Sequence, residues 1–392
     1  MNDRLQFGQR PENWLLALMV AFIAIGAVNI YSATSFSHDT YYLKRYALIC
    51  VVCLGACWLV RKVFPKVYGS KSYERLLYGL MVVNVMLLFA VNVFGVEING
   101  AKRWLTMAGV TFQPSELSKL VVIITLAYFI EQQLIRVGHF KLRSICSGLR
   151  AALGHLCISA AVVYSQPDMS TAVTIVGLAY LMLCYGGLGW LELLVLLGVG
   201  AAGIAFKLLS GGFRQDRLAA WLDPWAHRHD ASYQAVQSQI SIGSGGFWGR
   251  SWDLGSSKYG FLPENHTDFA FAVFCQDFGF FGALLFLLLL VVFACLMLHL
   301  LRQVKDRGLW LLGAGIFTFL LGQSLVNMAM VTGLTPVMGV PMMFLTYGGS
   351  ALLTDMLSMG IFLALYDMAK AEEEALRETN GVRVLTPTRR QP

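Results

Sequence analysis

Charge is what this 392-residue sequence has least of: 14% of its residues are Asp, Glu, Lys or Arg, where a soluble chain carries roughly 25%. Too little polar surface remains to cover a water-facing body, and 57% apolar residues with a mean hydropathy of +0.61 point the same way. A soluble protein of two or three domains is excluded. The sequence also lacks an RNP motif, zinc-finger spacing and a basic helix, so its net charge of +7 is not a nucleic-acid footprint. The eight cysteines lie inside apolar runs or in the basic loop around Cys146, and none falls in the long polar loop, which argues against both a disulfide framework and a metal cluster. Cys50 and Cys53 form a C-x-x-C on an apolar stretch without His or acidic neighbours, which is packing rather than redox chemistry. No small-residue cleavage site follows the first apolar stretch, Trp14 to Ala33, which is too long for a signal-peptide core and should stay as an anchor.

What the chain has instead is long apolar runs. Crossing the hydrocarbon core takes about 20 apolar residues, and runs of that kind fall at 14–33, 44–62, 76–95, 115–133, 149–165, 171–187, 190–207, 268–300, 309–331 and 350–367. The expected fold is all-α: a polytopic membrane protein of about ten transmembrane helices. Residues 1–13 form one terminal segment, 14–367 the membrane domain, and 368–392 a charged tail that reads as a short helix followed by a frayed end. With the N-terminus inside, cytoplasmic segments hold 19 of the 30 Lys and Arg residues, so both termini are expected in the cytoplasm. The polar mass outside is concentrated in one large loop between helices 7 and 8, residues 208–267. Its aromatic and glycine content argues for an ordered, interface-lying structure.

Three outward segments carry residues that membrane proteins ordinarily avoid. In the first, Lys102 and Arg103 precede Gln113-Pro114-Ser115-Glu116, where Pro114 marks a helix start with Ser115 as candidate N-cap. Glu116 and Lys119 then share a helical face. They form either a structural ion pair or part of a substrate site, since ionisable residues within a span are functional candidates by default. The second, Gln166-Pro167-Asp168, reads as a helix-capping turn. The third runs from Gly243 to Phe271 and contains Glu264, His266 and Asp268 at alternate positions directly before an apolar helix. Asp268 could be an N-cap, yet capping leaves that alternation unexplained, and chemistry is the reading favoured here. His266 is a base, a ligand or a hydrogen-bonding linker. Finally, Pro and Gly are dense from Gly333 to Ser350, and broken backbone at membrane depth must be buried or line a wet cavity.

At these residues the sequence resembles the SEDS proteins, the family of RodA, FtsW and their sporulation homologue. The shared sets are N-G-A-K-R-W-L (99–105) with F-Q-P-S-E-L-S-K (112–119), Q-P-D-M-S-T-A (166–172), G-S-G-G (243–246) with F-L-P-E-N-H-T-D-F (261–269), and G-L-T-P-V-M-G-V-P (333–341) with Y-G-G-S (347–350). They occur in order across roughly residues 14 to 367. Met343, Thr346, Ser170, Ser251 and the pair Gln276-Asp277 depart from the family pattern, though none of them removes an ionisable residue of the motifs. The resemblance implies a peptidoglycan glycosyltransferase of the bacterial cytoplasmic membrane. Such an enzyme polymerises lipid II on the outer face, with a class B penicillin-binding protein as transpeptidase partner within the elongation or division machinery. The segment Thr332 to Pro341 and the compact tails look closer to the RodA branch, which implies a role in elongation and rod shape, with a septal FtsW-like role as the alternative.

A single inverting displacement would convert the α-linked diphosphate donor into a β-1,4 product. It needs one base for the acceptor hydroxyl and charge neutralisation at the leaving group. By resemblance, Asp268 is the base. Lys102, Arg103 and Lys119 are candidate diphosphate partners, joined by Arg214, Arg217 and Lys258, with Glu116 orienting Lys119 and Glu264 and His266 at the substrate. A divalent cation, Mg or Mn, could assist there, although no motif demands one. A lipid II flippase would use similar broken helices but would need polar residues through both leaflets, and a scaffold would not need Asp268 beside Glu264. The topology has a direct check. In a variant stripped of native cysteines, Trp225→Cys is expected to react with a membrane-impermeant thiol reagent in intact cells, and Lys66→Cys is not. The reverse pattern would move the long loop to the cytoplasm.

Overall fold

The computed structural model describes residues 10–34, 41–98, 100–107, 110–209, 219–230, 232–250 and 262–385. Each expected apolar run is a helix: α1 (Pro11–Thr34), α2 (Tyr41–Tyr68), α3 (Tyr73–Phe94), α4 (Pro114–Val137), α5 (Ser147–Ser165), α6 (Met169–Tyr185), α7 (Trp190–Leu209), α9 (Ala270–Leu301), α10 (Arg307–Val331) and α11 (Gly349–Leu385), with a short helix α8 (Tyr233–Ser244) before α9. Eight of them are long and apolar enough to cross a bilayer, and α6 and the described part of α7 are shorter apolar helices. The chain is therefore a polytopic α-helical membrane protein. The charged tail expected to fray after a short helix instead continues α11 without a break to Leu385.

Helix α4 is the axle of the bundle. It packs against α3, α5, α6, α10 and α11, and Leu120 to Ala127 are buried at every position, as befits a helix that is apolar all round. Its limits are local chemistry. Pro114 occupies the first turn, where its missing N–H costs nothing, and Gly138 stops the helix with φ +74 while its N–H donates to the Leu134 carbonyl. The N-cap position is Gln113 rather than the expected Ser115, which lies inside the first turn. Lipid is as apolar as leucine, so helices in a bilayer are held by close packing and interhelical polar contacts. Asn84 of α3 supplies one such contact, donating to Ser118 Oγ at 2.8 Å while its Oδ1 meets His155 Nε2 at 3.0 Å. Asn29 donates to the Ala270 carbonyl at 2.8 Å.

Two features were not visible as apolar runs. Between α3 and α4 the chain forms an antiparallel meander of β1 (Val96–Ile98), β2 (Ala101–Met107) and β3 (Val110–Phe112). The expected span 268–300 is also not one straight helix, because Gly279 breaks α9 with φ 64 and ψ −164. The turn after α8 repairs the break. Phe280 N–H donates to the Gly246 carbonyl at 2.9 Å, Phe281 N–H to the Phe247 carbonyl at 3.2 Å, and Arg250 N–H to the Gln276 carbonyl at 2.9 Å.

Gly249 sits in this joint at φ +85, where a Cβ would collide with the Asp277 carbonyl. Gly249→Ala is expected to lower the thermal midpoint of the purified protein, with backbone strain alone contributing about 1–3 kcal/mol. Gly243→Ala, where a Cβ meets nothing within 4 Å, should leave the midpoint unchanged. Equal midpoints for the two variants would contradict a packed joint.

Candidate active site

Four segments converge at the N-terminal end of α4 around a cavity of about 530 Å³. The meander brings Arg103 and Trp104, the start of α4 brings Gln113 and Glu116, the turn before α6 brings Asp168, and the turn before α9 brings Glu264, His266 and Asp268. The irregular stretch between α10 and α11 closes the wall with Gly339, Pro341 and Thr346 to Gly348. That stretch, read as a helix break lining a cavity, does so, with Val340 and Met342 to Leu345 buried behind the lining.

Hydrogen bonds fix the broken backbone in place. Asn327 Nδ2 donates at 2.7 Å both to the Asp268 carbonyl and to the Val340 carbonyl, so one buried side chain joins the Asp268 turn to the irregular stretch. Tyr347 N–H donates to the His266 carbonyl at 2.8 Å, and the His266 ring lies 5.3 Å from the Tyr42 ring. Glu264 adopts φ 55, a left-handed conformation rare outside glycine, while its carbonyl accepts from Thr267 and Phe269 N–H at 3.2 Å each.

Asp268 does not cap α9. The N-cap is Phe269, and the Asp268 carboxylate makes no hydrogen bond to a described side chain or amide. A Cβ on Gly339 would lie 3.2 Å from its Oδ2, so a bare backbone there leaves the carboxylate its space. Burial pushes the Asp268 carboxyl up to about 7, with Glu264, Glu116 and Asp168 adding to the shift and Arg103 opposing it. Burial also lowers His266, against the pull of Glu264, which favours the neutral ring.

The cations are not all where the sequence suggested. Arg103 lines the cavity, its Nη1 4.0 Å from Asp168 Oδ1, and it donates to the Gln166 and Pro167 carbonyls. Lys119 does not line it. Its ammonium is 2.8 Å from Glu116 Oε2 and 5.2 Å from the Phe319 ring centroid, with 2% of its side chain exposed, so the pair is buried behind the wall and Glu116 alone faces the cavity. Lys102 is exposed on β2 opposite Glu97 and is not a lining residue. Of the candidate diphosphate partners Lys102, Arg103 and Lys119, only Arg103 therefore reaches the cavity, because successive residues of a strand point to opposite faces and Lys119 turns back toward Glu116. Arg214, Arg217 and Lys258 lie outside the described residues.

Asp168 was read as a cap only, and it does accept from Thr171 N–H at 3.3 Å. It also lines the cavity, faces Arg103 and accepts from Gln113 Nε2 at 3.0 Å. Its signal was a carboxylate buried at a turn between two apolar helices. Among the described residues, no three His, Cys, Asp or Glu side chains stand as a ligand set for one metal ion.

Because both members of the Glu116–Lys119 pair are buried, removing one strands the other. Lys119→Met is expected to cost about 3–5 kcal/mol of stability, and the double variant Glu116→Leu, Lys119→Met should recover most of it. Thermal melts of the three proteins in one detergent decide this, and a double variant no more stable than the single one would mean the pair is not a closed structural unit.

A protein-family model described as a cell cycle protein family, that of FtsW, RodA and SpoVE, matches residues 12–371. A probable peptidoglycan glycosyltransferase FtsW of Geobacter sp. is 32% identical over 370 residues, covering 91% of this chain and 97% of the relative. The peptidoglycan glycosyltransferase MrdB of Escherichia coli is 30% identical, with 91% and 93% covered. Among solved structures, RodA of Thermus thermophilus superposes with a TM-score of 0.62 at 25% identity, covering 93% of this chain and 98% of that one. A chain from a peptidoglycan synthase complex gives 0.74 at 25% identity, with 91% and 97% covered. The match spans the whole helical bundle and every cavity-lining segment, and this chain belongs to the FtsW, RodA and SpoVE family, the SEDS proteins.

Proposed function

We propose that this chain is a peptidoglycan glycosyltransferase, polymerising the undecaprenyl-diphosphate-linked disaccharide peptide lipid II at the outer face of the cytoplasmic membrane, with Asp268 as its general base. The observation that carries this reading is a cavity-lining carboxylate that neither caps a helix nor hydrogen-bonds to a described residue, set among acidic neighbours and one arginine. A sugar hydroxyl is a weak nucleophile, and a positioned acceptor for its proton is what such a carboxylate provides. In the reaction the acceptor oxygen forms its bond to the donor's anomeric carbon as its proton passes to Asp268. The bond from that carbon to the diphosphate oxygen breaks, and the diphosphate leaves with the electron pair. Arg103 is the lining cation that meets the charge developing there. Glu264 and Asp168 shape the field in which the base works, and Lys119 acts through Glu116 rather than at the substrate.

The relatives named as peptidoglycan glycosyltransferases support the reaction class. The complex that coordinates polymerization with crosslinking supports a class B penicillin-binding protein as partner. An elongation role of the RodA kind is the finer reading, supported by the segment Thr332 to Pro341. The outward orientation rests on the Lys and Arg distribution.

Asp268→Asn is expected to lower glycan polymerisation from purified lipid II by about 10²- to 10⁴-fold while the melting midpoint and partner binding stay unchanged. The base works deprotonated, and its carboxyl titrates at about 7. Single-turnover rates should therefore rise with pH through that region and fall about tenfold per unit below it. Near-wild-type polymer from the variant would remove Asp268 from the chemistry.

A further inference from the structure

Helix α4 carries Glu116 at the catalytic cavity in its first turn and runs for 24 residues, from Pro114 to Val137. At 1.5 Å per residue that is roughly 36 Å, enough to cross the hydrocarbon core. At this far end, the loop after α4, the turn between α6 and α7 and the first residue of α10 enclose a groove of about 640 Å³. It has no part in the site described above.

The groove has a mixed lining. His139, Lys141 and Arg307 are exposed along it, and none of the three side chains makes a hydrogen bond or ion pair with a described residue. Gly186, Gly187 and Gly189 form a floor without side chains, and Arg307 Nη2 lies 3.8 Å from where a Cβ on Gly187 would stand. Glu192 Oε1 accepts from Leu142 N–H at 2.9 Å and pins the loop to α7. Its Oε2, beside Gly189, is buried with no hydrogen-bond partner among the described residues. The lip is apolar: Trp190 and Leu191, in the first turn of α7, are 68% and 60% exposed. Aromatic residues in such a position mark the headgroup level of a bilayer.

We propose that this groove binds the headgroup of an anionic, hydroxyl-bearing glycerophospholipid from the leaflet opposite the catalytic cavity, as phosphatidylglycerol would supply. Two fixed cations and a histidine face one carboxylate, so the groove carries net positive charge and suits a phosphodiester. Arg307, Lys141 and His139 donate to its oxygens, and the glycine floor lets it come close. A headgroup hydroxyl supplies the donor that Glu192 Oε2 lacks among the described residues. The acyl chains leave over Trp190 and Leu191 into the bilayer, which a soluble phosphate ester could not use. The anchored lipid would hold the loop after α4 to the start of α7, steadying the end of the helix that carries Glu116 at its other end.

The test is native mass spectrometry of the full chain exchanged into detergent with equal amounts of phosphatidylglycerol, phosphatidylethanolamine and phosphatidylcholine. Wild type is expected to retain phosphatidylglycerol at least about tenfold over phosphatidylcholine, and Lys141→Gln with Arg307→Gln to abolish that preference. Arg136→Gln, which removes an exposed cation of α4 outside the groove, is the surface-charge control and should retain it. Glycerol 1-phosphate in millimolar excess should not displace the lipid. Equal retention of the three lipids by wild type would overturn the proposal, and this arm decides alone if the double variant does not fold. Loss in Arg136→Gln equal to that in the double variant would reduce the effect to general surface charge and overturn the site. Displacement by glycerol 1-phosphate would assign the groove to a soluble ester and overturn the lipid.

Discussion

A bilayer interior offers no water to an unpaired backbone amide or carbonyl, and this requirement governs the molecule more than any single side chain. Most of the chain meets it with uninterrupted helices. Where the helices break, at Gly279 and between α10 and α11, other parts of the chain supply the missing partners. The turn 245–250 takes up the donors and acceptor freed by the first break, and Asn327 holds the second by bonding to Val340. The same asparagine holds the Asp268 carbonyl. Satisfying the irregular backbone and positioning the Asp268 carboxylate are thus one arrangement.

Electrostatics follow from that geometry. Four carboxylates face one cavity, an arrangement tolerable only if some are neutralised. Lys119 neutralises Glu116 from behind the wall, and Arg103 with Gln113 and the cap amide of Thr171 stabilises Asp168. Thr267 Oγ1 donates to Glu264 Oε2 at 2.7 Å. Asp268 is left as the carboxylate with no donor of its own among the described residues, and its affinity for a proton rises accordingly. A buried ion pair seldom adds net stability. Here Glu116–Lys119 keeps one wall of an acidic cavity from adding a further unbalanced charge.

The helices were legible because hydropathy over 20 residues is an integrated signal, and the start of α4 was written in Pro114, whose fixed φ suits a first turn. The meander was not, since strands of three, seven and three residues produce no apolar run, and β2 mixes Lys102 and Arg103 with Trp104. The break at Gly279 was hidden for the opposite reason. Phe278-Gly279-Phe280-Phe281-Gly282 is apolar throughout, and hydropathy is blind to backbone angles. For the site, the motifs located Asp268, Glu264, His266 and Arg103 at one cavity. The spacing of Glu116 and Lys119 placed them on one helical face and paired them, but could not say which of the two would face the cavity. Asp168 was recognised as a cap, and a sequence cannot show that a capping carboxylate has a second oxygen turned toward Gln113.

The joint at Gly279 also bears on how the chain is made. Phe280 and Phe281 need the carbonyls of Gly246 and Phe247 before the second half of α9 can rest in the bilayer without stranded amides. Those carbonyls lie more than thirty residues earlier in the chain, so synthesis from the N-terminus makes the turn 245–250 before α9 leaves the ribosome. The order of translation therefore matches the order in which polar groups must be covered. A rearranged chain with α9 emitted ahead of the turn 245–250 would have the same contacts available at equilibrium, but it would have to insert a broken helix with nothing yet waiting to receive it.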